Sequence, residues 1–286
     1  MYKFVAETVD DLYVECLRMI MHEGEMTHPR GFNCKELSPC VTVLTNLQNN
    51  ILENPIRKAS KAFMAAELLW MLTGRDDVAM ISFYNSKIAS YSDDGLKFFG
   101  AYGPKICAQL QYIVETLQKD PWSRQAVLNI WRENPPKTKD VPCTIALHFI
   151  RRPVDTLNLI VYMRSQDIWL GFPYDVHNFT CIQLLVASIL GCKPGTFTLV
   201  QGSLHLYEPD FDKAKEAMLY KCMTAAKTPL ATVICVDSYK NEIAFAKTAE
   251  EKIRNNNLWG YKRLDPLING KMQWLVEFAR KKYANS

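Results

Sequence analysis

Cys143 stands in Val141-Pro142-Cys143-Thr144, between a polar loop and the mouth of a β-branched run. A thiol at such an edge becomes a nucleophile once a nearby cation favours the thiolate. Arg164-Ser165-Gln166-Asp167 supplies a cation, a hydroxyl and a carboxylate in one short stretch. Glu67 interrupts the apolar run Ala65-Ala66-Glu67-Leu68-Leu69-Trp70, where an unpaired carboxylate is costly to bury. Asp175 closes Leu170-Gly171-Phe172-Pro173-Tyr174-Asp175, and His205 and Tyr207 alternate along Leu204-His205-Leu206-Tyr207. Taken singly, each has a plainer explanation. Cys143 is then a strand-start hydrophobe, Glu67 a helix-surface charge, Arg124 a solvated charge, Asp175 a turn carboxylate and His205 a satisfied structural residue.

The elements that must hold these groups are readable from periodicity. Asp10 to Met21 spaces Leu12, Val14, Cys16, Leu17 and Ile20 for the buried face of a helix. A polar loop, Thr27 to Gly31, follows, then a β-branched strand from Cys40 to Thr45. Ser60 to Leu72 is rich in helix formers and is stopped by Gly74; Tyr112 to Lys119 continues a second helix to the Asp120-Pro121 break. Strands are expected over Ala126–Trp131, Thr144–Ile150, Leu157–Met163 and Thr196–Gln201, and helices over Phe179–Leu190 and Phe211–Tyr220. Helices interleaved with strands, without a strict βαβ rhythm, predict an α+β domain with one mixed sheet.

Composition narrows the function classes. The chain has 286 residues, enough to bury a substantial core, with 48% apolar and 22% charged residues. A net charge of +4 suits an anionic small molecule but is too weak and dispersed for a nucleic-acid surface. No long apolar run marks a leader or a membrane span, so a cytoplasmic setting is expected, or the host cytoplasm for a phage-encoded protein. Nine cysteines without a C-x-x-C pair argue against a disulfide framework and against a zinc site.

The ordered set of motifs carries more than any member does. Glu67-Leu68-Leu69-Trp70-Met71-Leu72, Ala101-Tyr102-Gly103-Pro104, Trp122-Ser123-Arg124, Cys143, Arg164-Ser165-x-Asp167, Leu170-Gly171-Phe172-Pro173 and Gly202-Ser203-Leu204-His205-Leu206-Tyr207 resemble the thymidylate synthase superfamily. The resemblance runs from about Arg30 to about Tyr207. It implies a single catalytic domain over 1–286, with a divergent C-terminal segment from about 255, whose mixed sheet packs at a homodimer interface. Cys143 then matches the nucleophile that adds to C6 of a pyrimidine nucleotide. Arg164, Ser165 and, less closely, Arg30 match its phosphate ligands. Arg124 matches an arginine donated across the dimer to the partner's phosphate; the family's usual Arg-Arg pair here reads Arg124-Gln125. His205 and Tyr207 match the pair on the sugar 3′-hydroxyl. Glu67 and Tyr102 match the water and proton-transfer network near C5, and Glu67, Trp70 and Asp167 match groups on the folate, 5,10-methylenetetrahydrofolate, with no metal implied.

One departure bears on the substrate. Where thymidylate synthases present an Asn to uracil, this chain presents Asp175. Uracil offers N3–H and O4, which a carboxamide satisfies, whereas cytosine offers N3 as acceptor and a 4-amino donor. A protonated Asp complements the cytosine edge, so the resemblance is closest to deoxycytidylate hydroxymethylases. Ile88-Ala89-Ser90-Tyr91-Ser92 replaces the synthase Trp-Asp-Glu-Trp segment, and Phe278 to Ser286 lacks the tail that closes over folate. Both losses favour capture of the transferred methylene by water, giving 5-hydroxymethyl-dCMP and tetrahydrofolate. The alternatives are a CMP hydroxymethylase of a nucleoside-antibiotic pathway, a dCMP methylase, dUMP methylation, and a silent nucleotide-binding protein on the same scaffold. Retention of Cys143, Glu67, Tyr102 and Asp167 argues against the last, because binding alone needs no thiol.

Overall fold

The computed structural model describes residues 1–220 and 239–255. Ten strands and seven helices are described: β1 (Tyr2–Ala6), α1 (Val9–Glu23), β2 (Glu25–Thr27), β3 (Cys34–Leu37), β4 (Cys40–Leu44), α2 (Lys61–Leu72), α3 (Val78–Tyr84), α4 (Gly103–Lys119), β5 (Val127–Asn129), β6 (Thr144–Arg151), β7 (Thr156–Met163), β8 (Gln166–Asp167), α5 (Phe172–Ile189), β9 (Lys193–Gln201), β10 (Leu204–Tyr207), α6 (Phe211–Ala217) and α7 (Tyr239–Arg254). The expected α+β class holds, with mixed sheet flanked by helices. The expectation of one sheet does not. A six-stranded sheet runs β1-β4-β9-β7-β6-β5, and a second, four-stranded sheet runs β2-β3-β10-β8.

The large sheet is anchored by rows of apolar side chains across strands. Leu44 pairs with Phe197, Phe197 with Leu159 and Leu159 with Phe149, and all four are at most 1% exposed. A face of such residues must be covered, and α5 packs on β7 and β9 while α1 covers β1 and β4. The other face keeps half-exposed residues, among them Ile145 and Tyr162.

Local chemistry sets the element ends that matter for the site. Ser60 caps α2 by accepting from the Phe63 N–H, as its place before an apolar run demands. Helix α5 begins at Phe172, not at Phe179, because Pro173 lies in the first turn. A proline there has no N–H to lose and a φ already suited to a helix, so the helix starts one turn and more before the expected Phe179. The polar stretch from Thr27 is partly β2, followed by a 3-10 turn over Pro29–Gly31 in which Arg30 adopts φ 54°. A non-glycine residue in this left-handed region is uncommon and costs on the order of 1–3 kcal/mol unless held by its surroundings. Cys222, Cys235 and the C-terminal segment expected to diverge, including Phe278 to Ser286, lie outside the described residues. Among the described residues, no helix is long and apolar enough to cross a membrane.

Candidate active site

Strand register assembles the site. Thr144 pairs with Met163 and Met163 with Gln201, so Cys143, Arg164 and Gly202 stand side by side where three inner strands of the large sheet end. The Arg164 N–H donates to the Cys143 carbonyl and the Gly202 N–H to the Met163 carbonyl, at 2.9 Å each. A Cβ on Gly202 would come within 2.9 Å of the Arg164 carbonyl oxygen, so glycine permits this close approach. From that end the chain crosses to the second sheet, where Gln166 pairs with Leu204 and Asp167 with His205.

Beside this end opens a cavity of about 480 Å³, walled by α2, α5 and the loops before β6. Cys143, Glu67, Tyr102, Trp70 and Asp175 all line it. The spacing of Asp175 and Asn178 puts both on one face of α5, towards α2. Asn178 Nδ2 donates to Glu67 Oε2 at 2.7 Å. Gln166 Nε2 donates to Asp175 Oδ2 at 2.8 Å. Tyr102 accepts from the Thr144 N–H at 3.2 Å and stacks on Phe179, which fixes its hydroxyl beside the start of β6.

Arg164 is held before any ligand arrives. Its Nε donates to the Pro142 carbonyl and its Nη2 to the Val141 carbonyl, at 2.9 Å each, and Nη2 lies 3.7 Å from Cys143 Sγ. Its side chain is otherwise exposed. Burial raises the Cys143 thiol above its ordinary value, and the Arg164 cation opposes this without overcoming it. Arg164 thus favours thiolate, as expected, yet the net direction is upward.

Both carboxyls are pushed towards neutrality. Burial and then the Asp175 charge raise Glu67 to about 8, against the Asn178 N–H. Burial raises Asp175 to about 7, against the Gln166 N–H. Tyr102 is raised well above its ordinary value by burial and the nearby thiol. The pocket therefore holds two carboxyls that titrate near neutral pH, a protonated phenol and a thiol, a composition suited to moving protons there.

The remaining expected residues fall into groups. His205 and Tyr207 alternate on β10 with ring centroids 5.0 Å apart. His205 Nδ1 lies 3.3 Å from Ser203 Oγ, and burial lowers His205 to about 4, so it is a neutral imidazole. Arg30 Nη2 donates to the Tyr207 hydroxyl at 3.3 Å, which ties the left-handed turn to β10. Ser165 is half-buried between Arg164 and β8. Asp167 is off the cavity wall: its Oδ1 accepts the Trp169 and Leu170 N–H groups at 2.8 Å each, capping the turn into α5. Burial raises Asp167 to about 6 against those two bonds. The Trp70 indole N–H is taken by the Asp77 carbonyl, so only its ring is offered to the cavity. Arg124 is exposed near β5, away from the cavity, beside a Trp122 ring stacked by Arg152 at 4.9 Å.

Four residues not singled out from sequence are also here. Gln166 and Asn178 hold the two carboxyls. Arg57 donates to the Trp169 carbonyl, lies over the Tyr174 ring at 5.4 Å and joins the cavity wall with Lys87. Neutral amides had no anomaly to betray them, and Arg57 and Lys87 read as ordinary surface cations. The wall also offers Trp70, Ile88, Tyr91 and Leu170 as a broad apolar and aromatic surface. Such a surface beside two cations and a protonatable Glu67 fits a flat heteroaromatic group with an anionic tail, as a folate has.

Comparison with known proteins identifies the family. The Thymidylate synthase family pattern matches residues 11–262. The chain is 33% identical over 236 residues to a deoxyuridylate hydroxymethyltransferase of Bacillus phage SP01, covering 74% of this chain and 60% of that protein. It is 31% identical over 202 residues to a deoxyuridylate hydroxymethyltransferase of Pseudomonas phage M6, covering 67% of this chain and 58% of that one. The chain thus spans about three-fifths of the length of the curated relatives it matches. By this match over most of its length, the chain belongs to the thymidylate synthase family.

Proposed function

We propose that this protein is a hydroxymethyltransferase that adds a one-carbon unit to C5 of dCMP, yielding 5-hydroxymethyl-dCMP. The observation that carries the reading is the convergence of Cys143, Glu67 and a proton-holding Asp175 on one cavity, with Arg164 beside the Cys143 thiol. 5,10-Methylenetetrahydrofolate supplies the carbon as an electrophilic methylene and leaves as tetrahydrofolate.

Cys143 Sγ adds to C6 of the base, which makes C5 a carbon nucleophile. Arg164 and Ser165, with Arg30 across the turn, bind the phosphate and set C6 against the thiol. His205 and Tyr207 hold the sugar. The Asp175 O–H donates to N3 while its other oxygen accepts from the 4-amino group. Once the C5–carbon bond has formed, loss of the C5 proton lets the folate nitrogen leave, and Glu67 holds the water that adds to the resulting exocyclic methylene and takes up its proton. Release of the Cys143 sulfur from C6 then restores the aromatic base. The half-exposed face of the large sheet, with Ile145 and Tyr162, is where a second copy would pack and bring its Arg124 to the phosphate.

A second reading places uracil in the site, because both relatives are named for deoxyuridylate. Incubation with methylenetetrahydrofolate and each of dCMP, CMP, dUMP and UMP, followed by product mass, separates them. The expected product is dCMP heavier by the elements of formaldehyde, without dihydrofolate. Product from dUMP alone overturns the cytosine assignment. Appearance of dihydrofolate overturns hydroxymethyl transfer. Cys143→Ala should abolish turnover and leave the melting temperature unchanged.

A further inference from the structure

A neutral carboxyl does not by itself choose between the two bases. It carries one donor oxygen and one acceptor oxygen. With the proton on one oxygen it complements the N3 acceptor and 4-amino donor of cytosine. With the proton on the other it complements the N3–H donor and O4 acceptor of uracil. Discrimination needs a second group that fixes which oxygen keeps the proton.

Gln166 occupies that place. It is 1% exposed, and its main-chain N–H is fixed by the Ser203 carbonyl at 2.8 Å. Its Nε2 reaches Asp175 Oδ2 at 2.8 Å, while its Oε1 is buried without a hydrogen-bond partner. Turning the amide over would bury two N–H donors where Oε1 now meets nothing, and would keep a bond to Asp175 only with the proton on Oδ2. An orphaned buried donor costs as much as a lost hydrogen bond, so the amide stays with its nitrogen on Asp175. Gly171 closes the other side: a Cβ there would lie 3.1 Å from Gln166 Nε2 and 3.3 Å from Asp175 Oδ2. Any larger residue would press on this contact.

We propose that Gln166 is the positioning residue that sets base specificity: by donating to Oδ2 of Asp175 it confines the acid's proton to Oδ1. Resting on the cytosine reading above, this assigns Oδ1–H to N3 and Oδ2 to the 4-amino group. Oδ2 then accepts twice, which a carbonyl oxygen with two lone pairs allows. For uracil the proton would have to move to Oδ2, against the Gln166 N–H.

The test is the ratio of dCMP to dUMP affinity, measured by calorimetry on the full chain, which needs no turnover and is insensitive to the folded fraction. Gln166→Met keeps the length and removes the N–H; Gln166→Ser shortens the side chain and serves where the first variant does not fold. Both should shrink the ratio about tenfold towards unity, the scale of one hydrogen bond to a buried acid. Equal weakening of both nucleotides, with the ratio kept, overturns the assignment. Asp175→Asn, measured alongside, separates the two levels. If it moves the ratio and the Gln166 variants do not, only the role of Gln166 fails. If it leaves the ratio unchanged, or the unmodified protein binds both bases equally, base reading by Asp175 fails as well. A wild-type preference for dUMP that collapses in the Gln166 variants overturns the cytosine reading and keeps the role of Gln166.

Discussion

Asp175→Asn isolates the cost of keeping a carboxyl in this cavity. Burial raises Asp175 from 3.8 to about 7. In the unfolded chain the same group ionises near pH 4, so the folded state holds its proton more tightly. Each unit of difference is worth about 1.4 kcal/mol, and about three units set a ceiling of roughly 4 kcal/mol. Glu67, raised to about 8 partly by the Asp175 charge, shares some of that cost. The working expectation is about 2–4 kcal/mol. The sign follows from the upward shift. Well below about pH 4 both states are protonated and nothing is lost; stability then falls as pH rises through about 7, where the folded group ionises. Asparagine carries no such penalty. The melting temperatures of variant and wild type should therefore diverge steadily between about pH 4 and about pH 8, by roughly 4–8 °C in favour of the variant. Thermal denaturation followed by circular dichroism at fixed ionic strength measures this. Any packing change from the substitution is independent of pH, so only the slope of the difference is diagnostic. A difference that stays flat, or that grows towards acid, refutes a buried carboxyl with a raised pKa.

Two further perturbations probe the other chemistry-bearing groups. Arg164→Met removes the cation 3.7 Å from Cys143 Sγ, so the thiol should rise further and alkylation by iodoacetamide at pH 8 should slow several-fold. A rate unchanged from wild type would mean that Arg164 does not act on the thiol. Asn178→Leu removes the N–H that favours ionised Glu67. The ascending limb of the turnover–pH profile, where Glu67 ionises to act as the base, should shift to higher pH from about 8. A downward shift would count against the bond.

Much of the fold was legible where one signal dominated. Ser60 before an apolar run announced α2, and β6 and β7 followed from their β-branched runs and the turn between them. The second sheet was not legible because its strands are too short for alternation to register: β8 is two residues and β2 three. They exist because β3 and β10 give them partners, a tertiary fact. The start of α5 was misplaced for a different reason. Pro173 is a breaker in a helix interior and a good first-turn residue, and only the position of Gly171 before it tells which applies. That difference matters, because it moves Asp175 from a loop onto the first turn of a rigid helix.

The residues that escaped the sequence reading bear most directly on protonation. A carboxylate in an apolar run is an anomaly, which marks Glu67, and Asp175 stands out as an acid where the resembled family has an Asn. Their partners Asn178 and Gln166 are uncharged and unremarkable in any window of sequence. Yet a buried carboxyl with one oxygen already accepting from an amide has its remaining oxygen assigned, and that assignment decides what it can donate to. The identity of the base is therefore a property of the Gln166–Asp175 pair. Two thymidylate synthase-like chains with the same acid, only one of them with Gln166, should differ in how strongly they discriminate between pyrimidines, and grafting Gln166 into the other should carry the discrimination with it.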